Sequence, residues 1–504
     1  MTEDLQRHFR EVASIDHSAV AVYFGDETFT WGDLWRAAEA LEKKLDAAGV
    51  KPGQPVGWIA RNHPAMIGAA LGLLMSGRCL CPINPLQPVA KLAAEVERLR
   101  MPALVGIGRD WPDELDEAVR KIGALGLVVD LRADDPITLR PGADKLGEGP
   151  FRVMPEGTVV ERMSSGTTGE PKRIPVTSPV LERSMQLGRR SEKGGDVAVA
   201  PSLQRSPSIQ SGPFGHASGI FHVAMMLHHG RPMVLFEKFD AQAWTEAVAR
   251  FKPKAGSLVP SMLNMVLELN PPKEKLASLI CVRSGTGPLD PASKTEFEAR
   301  YGIPVLSEYG ASEFIGGIAG WSLADYQAVG REKAASVGRL RPDANARVIN
   351  AETGEELANG QIGVLCLKAK RWGPDWIQTT DLASLDDDGF LYIHGRADEA
   401  INRGGFKVLP EKVAEVLRMH PAVRDAAVLA IKDPRLGQAP LAVVEAIPGQ
   451  PAPSAEELQA LVRANMPSYN VPVAVEMMDE LPRTPSMKVA RPAVRERLAG
   501  KYAF

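Results

Sequence analysis

Residues 163–172 read Met-Ser-Ser-Gly-Thr-Thr-Gly-Glu-Pro-Lys, a stretch rich in glycine and hydroxyl side chains. Gly166 and Gly169 can adopt positive φ, which lets successive backbone N–H groups converge on one anion. Hydroxyl groups add neutral donors, and Lys172 adds a mobile positive charge. The segment therefore predicts a loop that binds a polyphosphate, with hydroxyl donors Ser164, Ser165, Thr167 and Thr168.

The spacing of this segment is not that of a Walker loop. Lys172 lies three residues after Gly169 and is followed by Arg173, whereas a Walker lysine directly follows its glycine. A P-loop nucleoside triphosphatase is therefore disfavoured. A solvated surface turn stays an alternative for the segment taken alone, because serine, threonine, glycine and proline are common turn residues.

Length and composition narrow the class of protein. A chain of 504 residues exceeds the size of one hydrophobic core, so two or three domains are expected. The net charge of −3 provides no general attraction to nucleic acid or to an anionic membrane. The longest apolar stretch, residues 65–75, is too short to span a bilayer and predicts no integral membrane segment.

Cysteine content and the N-terminus indicate the compartment. The four cysteines are too few and too scattered for a disulfide framework or a four-thiolate zinc site. The first ten residues are charged and lack the apolar core of a secretory signal. Both features favour a cytoplasmic location.

Hydrophobic periodicity predicts the fold class. Thr30 and Asp33 begin a capped amphipathic helix that Gly49 ends. Further helix and strand candidates alternate along the chain, at residues 56–60, 64–76, 103–107, 125–131, 197–200, 233–236, 257–259 and 279–282. This alternation predicts an α/β fold with mostly parallel sheets in a large N-terminal domain of several subdomains.

The composition of the sequence and the pattern of its predicted elements change near Asp398. A helix beginning at Pro410, strands at 426–431 and 441–446, and a capping box from Ser454 to Glu457 follow. These elements predict a small α+β domain. We expect domains at residues 1–397 and 398–504.

A second group of segments suits a nucleotide base and a metal ion. The sequence contains Ser-Gly-Thr-Gly-Pro-Leu at 284–289 and Glu-Tyr-Gly-Ala-Ser-Glu at 308–313. A glycine-rich backbone can approach a flat purine, Tyr309 offers a π face, and Glu313 is a hard oxygen ligand suited to Mg²⁺. The alternative is a strand end and a turn beside a core tyrosine.

A third pair of segments suits a sugar. Asp381 in Thr-Thr-Asp-Leu, 379–382, offers a carboxylate acceptor, and Arg396 offers a planar donor. A surface ion pair between the two residues is the alternative.

In this order, and with further segments at 213–219, 395–411 and 481–489, the chain resembles the adenylate-forming enzymes. This superfamily includes acyl-CoA synthetases, peptide-synthetase adenylation domains and firefly luciferase. The resemblance covers most of the chain. It implies an N-terminal AMP-binding and acyl-binding domain and a mobile C-terminal domain.

The resemblance implies a role for each motif residue. The loop from Ser164 to Lys172 would hold the β and γ phosphates. The nucleotide would also contact the segments at 285–287 and 308–313, in the latter through Glu308, Tyr309, Gly310 and Ser312. Glu313 and Thr168 would bind Mg²⁺, Asp381 the ribose hydroxyls, and Arg396 the nucleotide.

Four further positions complete the implied site. Lys488 would reach the reacting carboxylate and the α-phosphate, where a positive charge stabilises the transition state. His216 would gate the acyl pocket, although a lone histidine is more often structural. Asp398 would be the hinge, and Gly404 and Gly405 would border the thiol tunnel, although a plain linker before a proline-started helix would look much the same.

Two positions depart from the family pattern. Thr380 and Met487 stand where most members have glycine. Both departures leave Asp381 and Lys488 in place, but Met487 is expected to stiffen the loop that carries Lys488.

The implied activity is a ligase that forms an acyl-adenylate from a carboxylic acid and ATP, then transfers the acyl group to coenzyme A. Residues 203–221 contain no acidic side chain that would pair with an amino acid's ammonium group, so an aryl or fatty acid is expected. Alternatives are transfer to an amine, a carrier protein or an internal hydroxyl, and a non-catalytic ATP-binding protein with the same fold. A homodimer stays open.

Overall fold

The computed structural model describes residues 3–163, 173–193, 200–210, 212–310, 317–370, 372–484 and 487–504. The chain forms two compact units. The first takes most of the chain up to Ser257 and the segment Leu269–Ile280. The second comprises Leu258–Glu268, Cys281–Gly310 and Gly317–Phe504, so the predicted boundary at Asp398 lies inside it and stays a prediction.

Helices occur along the whole described chain. In chain order they are α1 Glu3–Ala13, α2 Trp31–Ala47, α3 Pro64–Met75, α4 Val89–Leu99, α5 Asp113–Ile122, α6 Ser178–Lys193, α7 Ala217–His229, α8 Ala241–Phe251, α9 Pro260–Leu269, α10 Lys273–Leu276, α11 Pro291–Tyr301, α12 Leu323–Val329, α13 Pro410–Arg418, α14 Ala455–Asn465 and α15 Arg491–Leu498. Short 3₁₀ turns lie at Gly108–Asp110, Ala397–Glu399 and Ser468–Asn470.

Strands alternate with these helices up to α11 and dominate thereafter. In chain order they are β1 Val20–Phe24, β2 Glu27–Thr30, β3 Pro55–Ile59, β4 Cys79–Ile83, β5 Ala103–Gly106, β6 Leu125–Val129, β7 Ile137–Leu139, β8 Thr158–Met163, β9 Arg173–Thr177, β10 Ser208–Gln210, β11 Met233–Leu235, β12 Ala255–Ser257, β13 Cys281–Ser284, β14 Val305–Tyr309, β15 Ala319–Gly320, β16 Arg339–Leu340, β17 Ala344–Ile349, β18 Gly363–Ala369, β19 Ile377–Leu385, β20 Leu391–Arg396, β21 Ile401–Arg403, β22 Phe406–Val408, β23 Val423–Asp433, β24 Gly437–Ala446 and β25 Ala474–Met478.

A seven-stranded sheet organises the first unit, in the order β7-β6-β5-β3-β4-β8-β9. Its inner strands pair in parallel, and β3 and β4 are buried at every position because helices cover such sheets. A second sheet, β10-β11-β1-β2, also has parallel inner pairs. The outer pair β8 and β9 is antiparallel, so residues 164–172 connect neighbouring strands.

Local sequence signals explain the first helices. Thr30 caps α2: its hydroxyl accepts the N–H of Asp33 at 3.1 Å, and the Asp33 carboxylate accepts the N–H of Thr30 at 2.8 Å. α3 begins with Pro64 and is buried along its length. Gly72 lets α3 lie against α2, since a Cβ there would stand 2.9 Å from the carbonyl oxygen of Ala38.

The second unit begins with a mixed sheet and continues with antiparallel sheets. β13 and β14 are parallel, and β15 and β16 follow antiparallel. An antiparallel sheet, β17-β18-β19-β20, comes next. The last sheet has the order β22-β21-β24-β23, and β25 joins β24 in parallel.

Side chains along the strands of the last sheet alternate between two apolar clusters, one on each face. Val428 and Ala442 belong to one apolar cluster, which includes residues of α13 and α14. Their neighbours Leu429 and Leu441 belong to the other, which includes residues of α15. Successive side chains of a strand point to opposite faces, so helices cover both sides of this sheet.

The fold class is the predicted one: α/β with mostly parallel strands in the N-terminal part and a smaller α+β part at the C-terminus. The predicted strands at 257–259 and 279–282 were misplaced by two residues, and the observed strands are β12 and β13. The apolar residues misled the prediction: α9 begins at Pro260, and Ile280 is exposed. The strand predicted at 197–200 lies almost wholly outside the described residues.

All four cysteines lie among the described residues and are buried and free. In the segments that the structure describes, no helix is both long enough and apolar enough to cross a membrane.

Candidate active site

Two residues singled out from the sequence meet in the second unit. Tyr309 ends β14, and its hydroxyl donates a hydrogen bond to the Asp381 carboxylate in β19. Asp381 in turn lies opposite Arg396 in the antiparallel register of β19 and β20. The strand ends thus bring the aromatic ring of Tyr309, the carboxylate of Asp381 and the guanidinium of Arg396 into one region.

Arg396 makes its bidentate ion pair with Asp398. Its Nε lies 2.9 Å from Oδ1 and its Nη2 2.7 Å from Oδ2. This hydrogen bonding lowers the pKa of Asp398 and raises that of Arg396. The predicted nucleotide contact and the predicted hinge residue are therefore partners, a link that the sequence analysis missed.

Lys488 belongs to the same cluster. A Cβ added at Gly287 would stand 3.6 Å from the Cε of Lys488. Burial lowers the pKa of Lys488, the positive charge of Arg396 lowers it further, and Asp381 and Glu399 oppose the shift. The structure thus gathers residues from five separate sequence segments: Gly287, Tyr309, Asp381, Arg396 and Lys488.

Glu308 faces two arginines that the sequence analysis did not select. Its carboxylate accepts hydrogen bonds from Arg283 and, at 3.3 Å, from Arg341. A Cβ at Gly285 would stand 3.2 Å from the carbonyl oxygen of Glu308, so the backbones of β13 and β14 approach closely there. Glu308 therefore holds this end of the sheet, and the exposed Gly310 follows it. The sequence did contain a signal for Arg283, because it is a charged residue near the end of an apolar strand.

At two positions of the motifs, a residue other than glycine has positive φ. In the segment 285–287 the residue with positive φ is Thr286, at 70°. Met487 also has positive φ, at 63°, at a position where the family usually has glycine. Thr380 is exposed within β19, where extended backbone suits threonine.

The groups in this cluster fit a ribonucleotide. Asp381 provides an acceptor for sugar hydroxyls, while Arg396 and Lys488 provide cationic donors for phosphate oxygens. Gly287 leaves room beside the Lys488 side chain that a larger residue would fill. Tyr309 adds an aromatic face.

His216 lies in the first unit, at the N-cap of α7, and is half-buried. The segment before it is held by Asn62, whose amide nitrogen donates to the carbonyl of Gly212 at 3.1 Å and whose oxygen accepts from the N–H of Phe214 at 2.8 Å. The Phe214 ring stacks on Trp58 with centroids 5.7 Å apart. This packing gives His216 a fixed backbone.

Gly404 and Gly405 form the turn between β21 and β22, with φ of 58° and 91°. The N–H of Gly404 donates to the carbonyl of Leu436 at 2.8 Å. Among the described contacts, none joins this hairpin turn to the Lys488 cluster.

The remaining predicted site residues lie outside the described residues. They are Ser164, Ser165, Gly166, Thr167, Thr168, Gly169, Lys172, Ser312 and Glu313. In the part of the chain that is described, no group of three or more histidine, cysteine, aspartate or glutamate side chains could hold a metal ion.

Comparison with known proteins finds two family models that match this chain. The family model described as AMP-binding enzyme matches residues 9–371, and the model described as AMP-binding enzyme C-terminal domain matches residues 412–488. Sulfoacetate–CoA ligase of Cupriavidus necator is 28% identical over 486 residues, which cover 92% of this chain and 91% of the relative.

Solved structures share the fold. ATP-bound MatB from Rhodopseudomonas palustris superposes with a TM-score of 0.81 at 22% identity, covering 99% of each chain, and at this identity it shows the fold alone. The amide bond synthetase McbA from Marinactinospora thermotolerans is 25% identical with a TM-score of 0.79, covering 98% of this chain and 99% of the other.

Proposed function

Because the chain belongs to the AMP-binding enzyme family of adenylate-forming enzymes, we propose that it is an ATP-dependent acid–thiol ligase acting on an aryl or fatty acid. In the first step a carboxylate oxygen bonds to the α-phosphorus of ATP, and pyrophosphate leaves. In the second, the sulfur of coenzyme A bonds to the acyl carbon, and AMP leaves. The observation that carries the proposal is the cluster of Tyr309, Asp381, Arg396 and Lys488.

Within this proposal, Lys488 acts on the first step. The half-buried ammonium group of Lys488 stabilises negative charge that develops between the carboxylate and the α-phosphate. Its neighbours support the role: Arg396 shares the binding of negative charge, and Asp381 holds the ribose. These groups orient and neutralise the reactants without forming a covalent bond to them.

The phosphate end of the site is assigned by motif. Residues 164–172 would hold the β and γ phosphates, Ser312 would contact phosphate, and the segments at 285–287 and 308–310 would receive the base. Mg²⁺, held by oxygens of Glu313 and Thr168, would supply charge neutralisation at the phosphates.

For the second step we propose that residues 398–504 move as a domain about Asp398. Movement would withdraw Lys488 and bring Gly404 and Gly405 to the thiol, while His216 borders the acyl pocket. The Arg396–Asp398 ion pair supports this assignment, because it attaches the proposed hinge residue to the arginine whose charge acts on Lys488. The thiolate is the competent nucleophile.

An amine is a second candidate for the molecule that receives the acyl group, and the similarity to an amide bond synthetase favours it. In that case the adenylate would form without coenzyme A and an amide would accumulate. A cytoplasmic location and a homodimer stay predictions.

Pyrophosphate release tests the proposal. The enzyme is incubated with Mg-ATP and each member of a panel of aryl and straight-chain acids, with and without coenzyme A, and products are identified by mass spectrometry. We expect acid-dependent release, faster with coenzyme A, that yields AMP and a thioester. Pyrophosphate release that does not change with coenzyme A, together with formation of an amide when amines are added, would support an amine as the acceptor. ATP binding without release for any acid would support a non-catalytic binding protein.

A further inference from the structure

The described backbone near Lys488 forms two arms, one on each side of positions 485–486. Arg483 and Thr484 form the incoming arm, and Met487, Lys488 and Val489 form the outgoing arm; together we call them the Lys488 turn. The N–H of Thr484 donates to the carbonyl of Lys488 at 2.7 Å, and the N–H of Met487 donates to the carbonyl of Thr484 at 2.8 Å. The arms are thus bonded to each other.

The Arg483 side chain ties the Lys488 turn to the sheet beneath it. Its Nη1 lies 3.4 Å from the Met487 carbonyl oxygen on the outgoing arm and 2.9 Å from the Asp425 carboxylate. Its Nη2 lies 3.2 Å from Glu445. One guanidinium therefore links both arms of the turn to β23 and β24.

Glu445 is the centre of this attachment. Its side chain is 1% exposed, and it lies opposite Asp425 in the register of β23 and β24. The carboxylate accepts hydrogen bonds from the N–H of Leu481 at 2.9 Å, from Arg483 and, at 3.0 Å, from Arg424. A buried carboxylate is stable only when such donors surround it, so Glu445 fixes their positions as well as its own.

We propose that Glu445, acting through Arg483, is a positioning residue that holds the Lys488 turn in the orientation needed for adenylate formation. This inference rests on the proposed function of Lys488. Glu445 itself touches neither reactant. Its carboxylate anchors the approach to the turn at Leu481, and the arginine that it holds anchors the exit at Met487.

The test compares the two half-reactions in Glu445→Gln. Glutamine keeps the shape and one acceptor for Leu481 but removes the charge that holds Arg483. Misplacement of Lys488 should slow acyl-adenylate formation roughly 10- to 100-fold. Conversion of supplied acyl-adenylate and coenzyme A to thioester should change less than about two-fold, because Lys488 is withdrawn in that step.

A control within residues 398–504 is Glu476→Gln. The Glu476 carboxylate in β25 accepts hydrogen bonds from Lys501 at 2.6 Å and from Tyr502 at 2.5 Å, so its replacement removes a paired carboxylate that none of the described hydrogen bonds joins to Arg483. Both half-reactions should stay at wild-type rates. Equal loss of both half-reactions in Glu445→Gln, or no loss in either, would overturn the proposal.

A second measurement does not depend on turnover. Lys488 is labelled with an amine reagent across a pH series and quantified by mass spectrometry, in the wild type and in Glu445→Gln. Burial is the largest cause of the lowered pKa of Lys488; of the charged groups that act on it, Arg396 lowers it further, and Asp381 and Glu399 raise it. We expect the lowered pKa of Lys488 to return toward its ordinary value in the variant; an unchanged profile would count against positioning.

The labelling also separates two failures. If the wild type forms no adenylate with any acid, the proposed function fails, while the labelling profile still decides whether Glu445 positions Lys488. If Glu445→Gln does not fold, Arg483→Lys serves in its place, because lysine keeps a charge beside Glu445 but loses the second donor that reaches Met487. The same expectations apply to it.

Discussion

The hydroxyl of Tyr309 donates to the carboxylate of Asp381, which joins β14 to β19 across 72 positions of the sequence. The bond fixes the orientation of the carboxylate that we assign to the ribose. It also fixes the tyrosine ring at the end of β14. Contacts within the protein thus partly organise the candidate binding site without a ligand.

Removal of this hydroxyl should weaken ATP binding. Tyr309→Phe keeps the aromatic face but leaves Asp381 without that donor, and a hydrogen bond to a charged group contributes about 1.5–3 kcal/mol. We expect the KM for ATP to rise roughly 10-fold or more, with a smaller change in kcat. Tyr392→Phe is the control, since Tyr392 donates to Asp386 at 3.1 Å elsewhere in the same sheet. An equal rise in both variants would contradict the assignment.

Lys488→Ala should separate the half-reactions. Loss of the ammonium group removes transition-state stabilisation, so adenylate formation should fall about 10²- to 10³-fold. Thioester formation from supplied acyl-adenylate should continue. Lys501→Ala, which removes an exposed lysine paired with Glu476, is the control. Equal loss of both half-reactions in Lys488→Ala would remove Lys488 from its assigned role.

The hinge assignment predicts the opposite pattern for Asp398→Pro. Proline restricts φ within the 3₁₀ turn Ala397–Glu399, so rotation at this residue should be blocked. We expect thioester formation to fall at least about 10-fold while adenylate formation changes little. Asp398→Ala, which loses the Arg396 pair but keeps backbone freedom, should retain thioester formation. Unchanged thioester formation in the proline variant would contradict a hinge at Asp398.

Met487 should limit stability because of its backbone conformation. At φ of 63° an L side chain is strained by about 1–2 kcal/mol, and a β-branched one by more. Urea unfolding should therefore rank Met487→Gly at least as stable as the wild type and Met487→Val below it. At Met419, with φ of −68°, glycine should destabilise instead. A valine variant as stable as the glycine variant would show that residue 487 leaves the left-handed region.

Lys294 should also limit stability, because it is buried. Its side chain in α11 is 6% exposed, and among the described residues its Nζ has no hydrogen-bond partner. Burial lowers its pKa, and Glu298 opposes the shift. Between the lowered pKa and the ordinary value the unfolded chain binds more protons, so the free energy of unfolding rises with pH across that window.

Lys294→Met tests this effect. We expect the variant to be more stable by about 1–2 kcal/mol near neutral pH, with a weaker pH dependence. A buried cation without a described hydrogen-bond partner is replaced by an apolar group of similar size, and only the contact of Nζ with the Tyr326 ring, 5.3 Å from its centroid, is lost. The exposed Lys273→Met should change the free energy of unfolding by less than about 0.5 kcal/mol. Thermal unfolding followed between pH 7 and pH 10 would decide, and a destabilised Lys294→Met would contradict the prediction.

Elements with local signals were predictable. The capping box of Thr30 with Asp33 and that of Ser454 with Glu457 both form, as does the helix begun by Pro410. In both capping boxes the bonded residues are within one helical turn, and Pro410 is itself the first residue of its helix, so the sequence alone contains the geometry. Strand ends were less predictable, because apolar residues such as Ile280 also occur on the surface.

Motif spacing determined the family, the expected nucleotide chemistry and the candidate residues. Only the tertiary structure decided that Asp398 pairs with Arg396, that Lys488 lies against Gly287, and that Glu445 holds Arg483. Arg396 and Asp398 are two residues apart, and the backbone turn after β20 lets them pair. The other two pairs join residues that are far apart in sequence. No periodicity in the sequence records their approach, because it arises from the packing of the whole unit.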